Sequence, residues 1–109
     1  MTDASLLACL LDSMKNPVMF VDTDHIIRYM NKAAVAHYKE GEALLDQSVL
    51  DCHNAESVRQ IIEISAAMQQ GEEERLITDN DNWRIYMRAV RDPAGQLIGY
   101  YERYEPPAK

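Results

Sequence analysis

The stretch Pro17-Val18-Met19-Phe20-Val21-Asp22-Thr23-Asp24-His25-Ile26-Ile27-Arg28-Tyr29-Met30-Asn31 constrains the fold more than any other part of the chain. Val18 to Val21 is a β-branched and aromatic run that suits a pleated, half-buried surface. Asp22-Thr23-Asp24-His25 interrupts it with residues that hydrogen-bond their own backbone or tolerate a left-handed φ. Ile26 to Met30 resumes the β-forming character. Asn31 stands directly before Lys32-Ala33-Ala34, where helix formers take over, and is a natural N-cap. The reading is a hairpin followed by a capped helix.

The remainder fits around that nucleus. Leu6, Leu7, Leu10, Leu11 and Met14 recur at helical spacing, and Asn16-Pro17 stops the run. This stripe either packs on the domain's own sheet or pairs with a second copy. Asn31 to Tyr38 is a short helix, and Ala43 to Asp51 reads as one helical turn and a loop. Asn54 is a second cap, followed by Val58, Ile61, Ile62, Ser65 and Met68 on one helical face. Glu73 to Thr78 is a polar strand. Trp83, Ile85, Met87 and Ala89 then alternate with Arg84, Tyr86, Arg88 and Val90 at the period of a half-buried strand. Asp92-Pro93-Ala94-Gly95 has the residue order of a type I turn, and Leu97 to Tyr104 returns. Strands at both ends with helices between them predict an α+β domain, one antiparallel sheet with helices on one face.

A chain of 109 residues holds one domain with one core. The formal net charge of −7 disfavours a nucleic-acid surface and an anionic membrane, because both need concentrated Lys and Arg. Cys9 and Cys52 are too few for a disulfide framework and fit a reducing compartment. Leu6 to Leu11 is too short for a signal or a span, so the cytoplasm is expected.

The order of elements and the hairpin residues resemble the PAS domain family. The likeness is carried by Asn16-Pro17-Val18-Met19-Phe20-Val21-Asp22, Ile27, Asn31-Lys32-Ala33-Ala34, Leu44 to Asp51, and Asp92-Pro93-Ala94-Gly95-Gln96-Leu97-Ile98-Gly99. The family usually has Gly where this chain has His25 and Asp46. The first suits a left-handed His25, and the second suggests a differently shaped loop. The resemblance implies a five-stranded antiparallel sheet with helices on one face and an N-terminal amphipathic helix. It divides the chain into a flanking and dimerising helix (1–15), a sensor domain (16–105) and a tail (106–109). It implies a sensory and protein-interaction module rather than an enzyme. Such a module binds a small ligand or cofactor internally, forms a homodimer through the first helix, and signals to a partner protein or output domain. With no room for an output domain, the chain is expected to be an excised fragment or a stand-alone partner.

Asp51-Cys52-His53-Asn54 is the most suggestive chemical stretch. Imidazole and thiolate both ligate haem iron, and haem-binding PAS domains take an axial His from this half of the fold. His53 is the candidate ligand, with Cys52 and His37 as alternatives. The competing reading makes Cys52 a small buried hydrophobe and His53 a loop residue near the helix start. Photoactive flavin chemistry is not supported, because the family's Asn-Cys-Arg-Phe-type run is missing. A domain with no cofactor, its pocket filled by Leu, Ile and Met, is the alternative function. A small enzyme using Cys52 and His53 is the remote one, since no third orienting group accompanies them. A zinc site lacks its third and fourth ligands. Cys9 and the methionines, Met14, Met68 and Met87 among them, read as packing. Arg84, Tyr86, Arg88, Tyr100 and Tyr104 are expected to share one sheet face, as a partner surface or an anion-reading pocket. Glu72-Glu73-Glu74 reads as a solvated strand entry.

Overall fold

The computed structural model describes residues 1–107, apart from the side chain of Cys52. The elements run α1 (Asp3–Asp12), β1 (Met19–Asp22), β2 (Ile27–Met30), α2 (Lys32–His37), two 3₁₀ turns (Gly41–Leu44 and Val49–Cys52), α3 (Ala55–Gln69), β3 (Glu74–Asp79), β4 (Arg84–Arg91) and β5 (Leu97–Glu105). The strands form one antiparallel sheet in the order β2-β1-β5-β4-β3, so the last strand of the chain lies at its centre. The expected α+β architecture is present.

Local chemistry explains the boundaries. Asn31 caps α2 by accepting from the Ala34 N–H at 2.9 Å, and Asn54 caps α3 by accepting from the Ser57 N–H at 2.8 Å. In the β4–β5 turn the Gly95 N–H donates to the Asp92 carbonyl at 2.9 Å. His25 takes the expected left-handed conformation, at φ 66°. Asp46 does the same, also at φ 66°, so the reshaped loop expected there is not needed. Gly99 answers to space instead. A Cβ at that position would lie 2.2 Å from the Val21 carbonyl oxygen and 2.6 Å from the Phe20 ring, where β5 passes β1.

The core lies between the inner sheet face and the helices. Met19, Val21, Ile27, Met30 and Met87 come from the sheet, Ala34 from α2, Leu44 and Val49 from the 3₁₀ turns, and Ile61, Ile64 and Met68 from α3. Ile64 replaces Ile62 on the buried face of α3, and Ile62 is exposed. The helix is rotated to aim Ile61, Ile64 and Met68 at the sheet, a set spaced by three and four residues. Asn31 is wholly buried among these side chains, and its amide also reaches the Leu11 carbonyl of α1.

No residue of α1 is buried. Leu6, Leu7, Leu10 and Met14 are all exposed, as is the Cys9 thiol, so Cys9 and Met14 do not take the packing role expected of them. The helix flanks the outer sheet face. There Leu11 and Met14 border an apolar groove of about 730 Å³ together with Val18, Phe20, Tyr29 and Tyr101. Among the described residues no helix is long and apolar enough to cross a membrane.

Candidate functional site

Strand β5 builds the site by alternation. Successive side chains on a strand point to opposite faces. Ile85 pairs with Tyr104, Met87 with Glu102 and Ala89 with Tyr100, which puts Tyr100, Glu102 and Tyr104 on the inner face. This corrects the expectation that Tyr100 and Tyr104 share a face with Arg84, Tyr86 and Arg88. Those three stand opposite Glu105, Arg103 and Tyr101 on the outer face.

The outer face is not an anion-reading pocket, because carboxylates already occupy its cations. Arg103 donates to Glu74 at 3.1 Å and also pairs with Glu105. Its guanidinium lies 4.3 Å from the centre of the Tyr86 ring. Arg88 and Arg84 approach Glu74 and Glu105 at 3.8 Å. The acidic run is thus a set of ion-pair partners. Glu72 binds Arg75, Glu73 binds Arg91 at 2.7 Å, and Glu74 binds Arg103.

Inside, the space between sheet and helices holds two compartments. The first, about 140 Å³, lies under α3 and is lined by His53, Ser57, Gln60, Thr78, Met87 and Glu102, among others. The second, about 270 Å³, lies toward α2 and is lined by Tyr38, Glu40, Leu44, His53, Glu102 and Tyr104, among others. Val49, His53 and Glu102 border both. We treat them as one chamber with a shared wall.

His53 follows the second 3₁₀ turn, and the Asn54 cap sets its place at the head of α3. Its Nδ1–H donates to the Val49 carbonyl at 2.7 Å. In the neutral ring that leaves Nε2 as the free acceptor. Tyr38 and Tyr104 meet through their hydroxyls at 2.7 Å, and the Tyr100 hydroxyl meets Nδ1 of His25 at 3.1 Å. Glu102 differs from these neighbours. Among the described residues no N–H or O–H donates to its carboxyl. Burial pushes that carboxyl above the usual carboxylate range, and the nearby imidazole of His53 pulls it partly back. Burial likewise raises Tyr104, to about 12, and the Glu102 charge adds to the effect.

Of the candidates named from sequence, His53 lines the chamber. His37 does not. It is exposed on α2, with its ring edge-on to Tyr38, Tyr104 and Trp83. The side chain of Cys52 lies outside the described residues, so the thiolate and nucleophile readings fall outside them too. Among the described residues no three His, Cys, Asp or Glu side chains converge on a metal position. The sequence reading missed Glu102. Its signal was the two-residue spacing from Tyr100 and Tyr104, which fixes all three on one face once either tyrosine is placed inside.

The described residues form a single antiparallel sheet roofed by helices over a small, partly polar chamber. The family model described as "PAS domain" matches residues 7–104, and the chain belongs to the PAS domain family. No curated protein matches it significantly. Among solved structures it is similar to a C-terminal domain from Streptococcus mutans, with TM-score 0.80 and 18% identity, covering 96% of this chain and 85% of that one. It is also similar to the Aer2 receptor from Vibrio cholerae, described as a dual PAS-heme oxygen sensor, with TM-score 0.58 and 17% identity over 87% of this chain and 96% of that one. The Vibrio cholerae VqmA dimer matches with TM-score 0.66 and 11% identity, covering 100% of this chain and 54% of that one. At these identities the likeness is one of fold.

Proposed function

We propose that this PAS domain is a sensory module that holds a small ligand in the chamber beneath Glu102 and His53. It passes occupancy to α1 and, through α1, to a second copy or a signalling partner. The observation that carries the reading is Glu102, a half-buried carboxyl on the wall shared by both compartments, to which no N–H or O–H donates among the described residues. Polar groups drawn into a fold are as a rule hydrogen-bonded, and a half-buried carboxyl with no protein donor is open to a molecule that brings one.

The dimer part of the proposal rests on α1. Leu6, Leu7, Leu10 and the adjoining Met14 are exposed, and a large apolar groove lies beside them. Contiguous apolar surface on this scale marks an interaction site. The exposed Cys9 thiol supports a reducing compartment, the cytoplasm.

Haem on His53 is the second reading. What favours it is a ring whose Nδ1 is held by a backbone carbonyl and whose Nε2 has no protein partner among the described residues, the arrangement common in metal-binding histidines. The chamber is too small for a porphyrin as it stands, so haem requires α3 to lift from the sheet.

A fragment library screened by amide NMR tests the proposal. Binders are expected to shift Val49 and Glu102 and, at saturation, the residues of α1. Chamber shifts with a silent α1 would remove the transmission part. A library with no chamber binder would remove the sensory reading itself.

A further inference from the structure

The chamber selects by charge, and the selection follows from its lining. Glu102 and Glu40 border the larger compartment, together with Tyr38 and Tyr104. Neither compartment is lined by Lys or Arg, and His53 is the one basic group they share. Tyrosine rings carry negative faces that attract cations. Glu102 is half-buried and borders both compartments. In its ionised form that carboxyl accepts hydrogen bonds and donates none, so a ligand that completes and stabilises the charged form must bring donors.

We infer that the ligand of this chamber is a small primary ammonium compound, its N–H groups on Glu102 and its alkyl part against Tyr38, Leu44 and Tyr104. The inference rests on the ligand-chamber reading above and adds the chemical class. Charge and hydrogen bonding agree on it. An ammonium supplies both the donors that Glu102 lacks and the counter-charge that burial denies it. A carboxylate ligand would meet Glu102 and Glu40 with like charge. A wholly apolar ligand would leave the Glu102 carboxyl as unpaired as before. Size sets a further limit. At about 30 Å³ per water, the larger compartment holds roughly nine water volumes, so the ligand has about that many non-hydrogen atoms.

The test uses three probes that share a pentyl tail on the full chain: n-pentylammonium chloride, n-pentanol and sodium hexanoate, titrated at matched ionic strength and followed by amide NMR. The ammonium alone is expected to saturate the shifts of Val49, His53 and Glu102. Glu102→Gln is expected to weaken it by about tenfold or more, the loss of a charge-assisted hydrogen bond. Glu40→Gln, at the exposed edge of the chamber, gives a second readout that does not depend on a buried substitution, and should weaken binding roughly twofold to fivefold. Equal saturation by pentanol or hexanoate would overturn the ammonium class and leave the chamber reading standing. Saturation by none of the three would overturn both. Ammonium binding unaffected by Glu102→Gln and Glu40→Gln would overturn the placement on these carboxyls.

Discussion

The side-chain amide of Asn31 donates to the carbonyl of Leu11 across 2.9 Å, joining the first helix to the body of the domain. The same amide donates to the Asn16 carbonyl at 3.2 Å, and its oxygen accepts from Val18 at 3.0 Å and from Ala34. One buried side chain thus fixes the end of α1, the approach to β1 and the start of α2. Replacing Asn31 by Ala strands these groups. The expected loss is about 2–4 kcal/mol of stability, read by urea denaturation, with faster amide exchange in α1. An unchanged midpoint would show that α1 is held by something else.

Deleting residues 1–15 should convert a dimer to a monomer and leave the sheet folded, because α1 buries no residue of its own in the domain. Analytical ultracentrifugation with circular dichroism reads both quantities. A truncated chain that sediments as a dimer would sink the assignment of α1 as the interface.

Glu102 predicts a pH dependence of stability with a definite sign. Its carboxyl holds its proton more tightly in the folded state than in the unfolded chain. The folded state therefore binds more protons above the ordinary glutamate range, and stability falls as pH rises through the folded value. Glu102→Gln keeps the neutral form at every pH. It should match the parent near pH 4 and be the more stable of the two at pH 8. Parallel stability curves for the two proteins would refute the idea that Glu102 is strained by burial.

The fold was largely legible, and the reasons are local. Asn31 and Asn54 announce helix starts through side-chain chemistry that acts over three residues. Asp92 to Gly95 announces a turn in the same way, and the hairpin announces itself by β-branched residues around a polar turn. The site was legible only in part. His53 stood out as an imidazole ahead of a capped helix. Glu102 did not, because Leu97 to Glu105 mixes apolar, aromatic and charged residues on both faces, and only pairing with Met87 shows which face is inner. The face of α3 was misjudged at Ile62 for a related reason. Neighbouring isoleucines leave helical phase ambiguous until the sheet chooses among them.

Asp46 is a site where the fold tolerates a cost. A non-glycine residue at φ 66° is disfavoured by about 1–2 kcal/mol. What Asp46 gives in return is an exposed pair with Arg28 at 3.1 Å, and such pairs contribute little. Asp46→Gly should therefore raise stability by about 0.5–1 kcal/mol in thermal or urea unfolding. A loss of stability would mean that the Arg28 pair matters more than its exposure suggests.

Haemin gives the second reading its own test. Added to the purified protein, it should produce no sharp Soret band, since the chamber is smaller than a porphyrin. A sharp band that vanishes in His53→Ala would reverse the order of the two readings and make His53 an iron ligand.

The central place of β5 has a further consequence. Glu102 looks into the chamber, while Tyr101 and Arg103, one peptide bond away on either side, border the groove beside α1. The partition between the chamber and that groove is a single extended backbone. A ligand that draws Glu102 inward by a fraction of an ångström must tilt the same peptide planes that carry Tyr101 and Arg103. On the proposed function, the signal then needs no relay of packed side chains across the domain, because the strand is at once the detector and the drumskin.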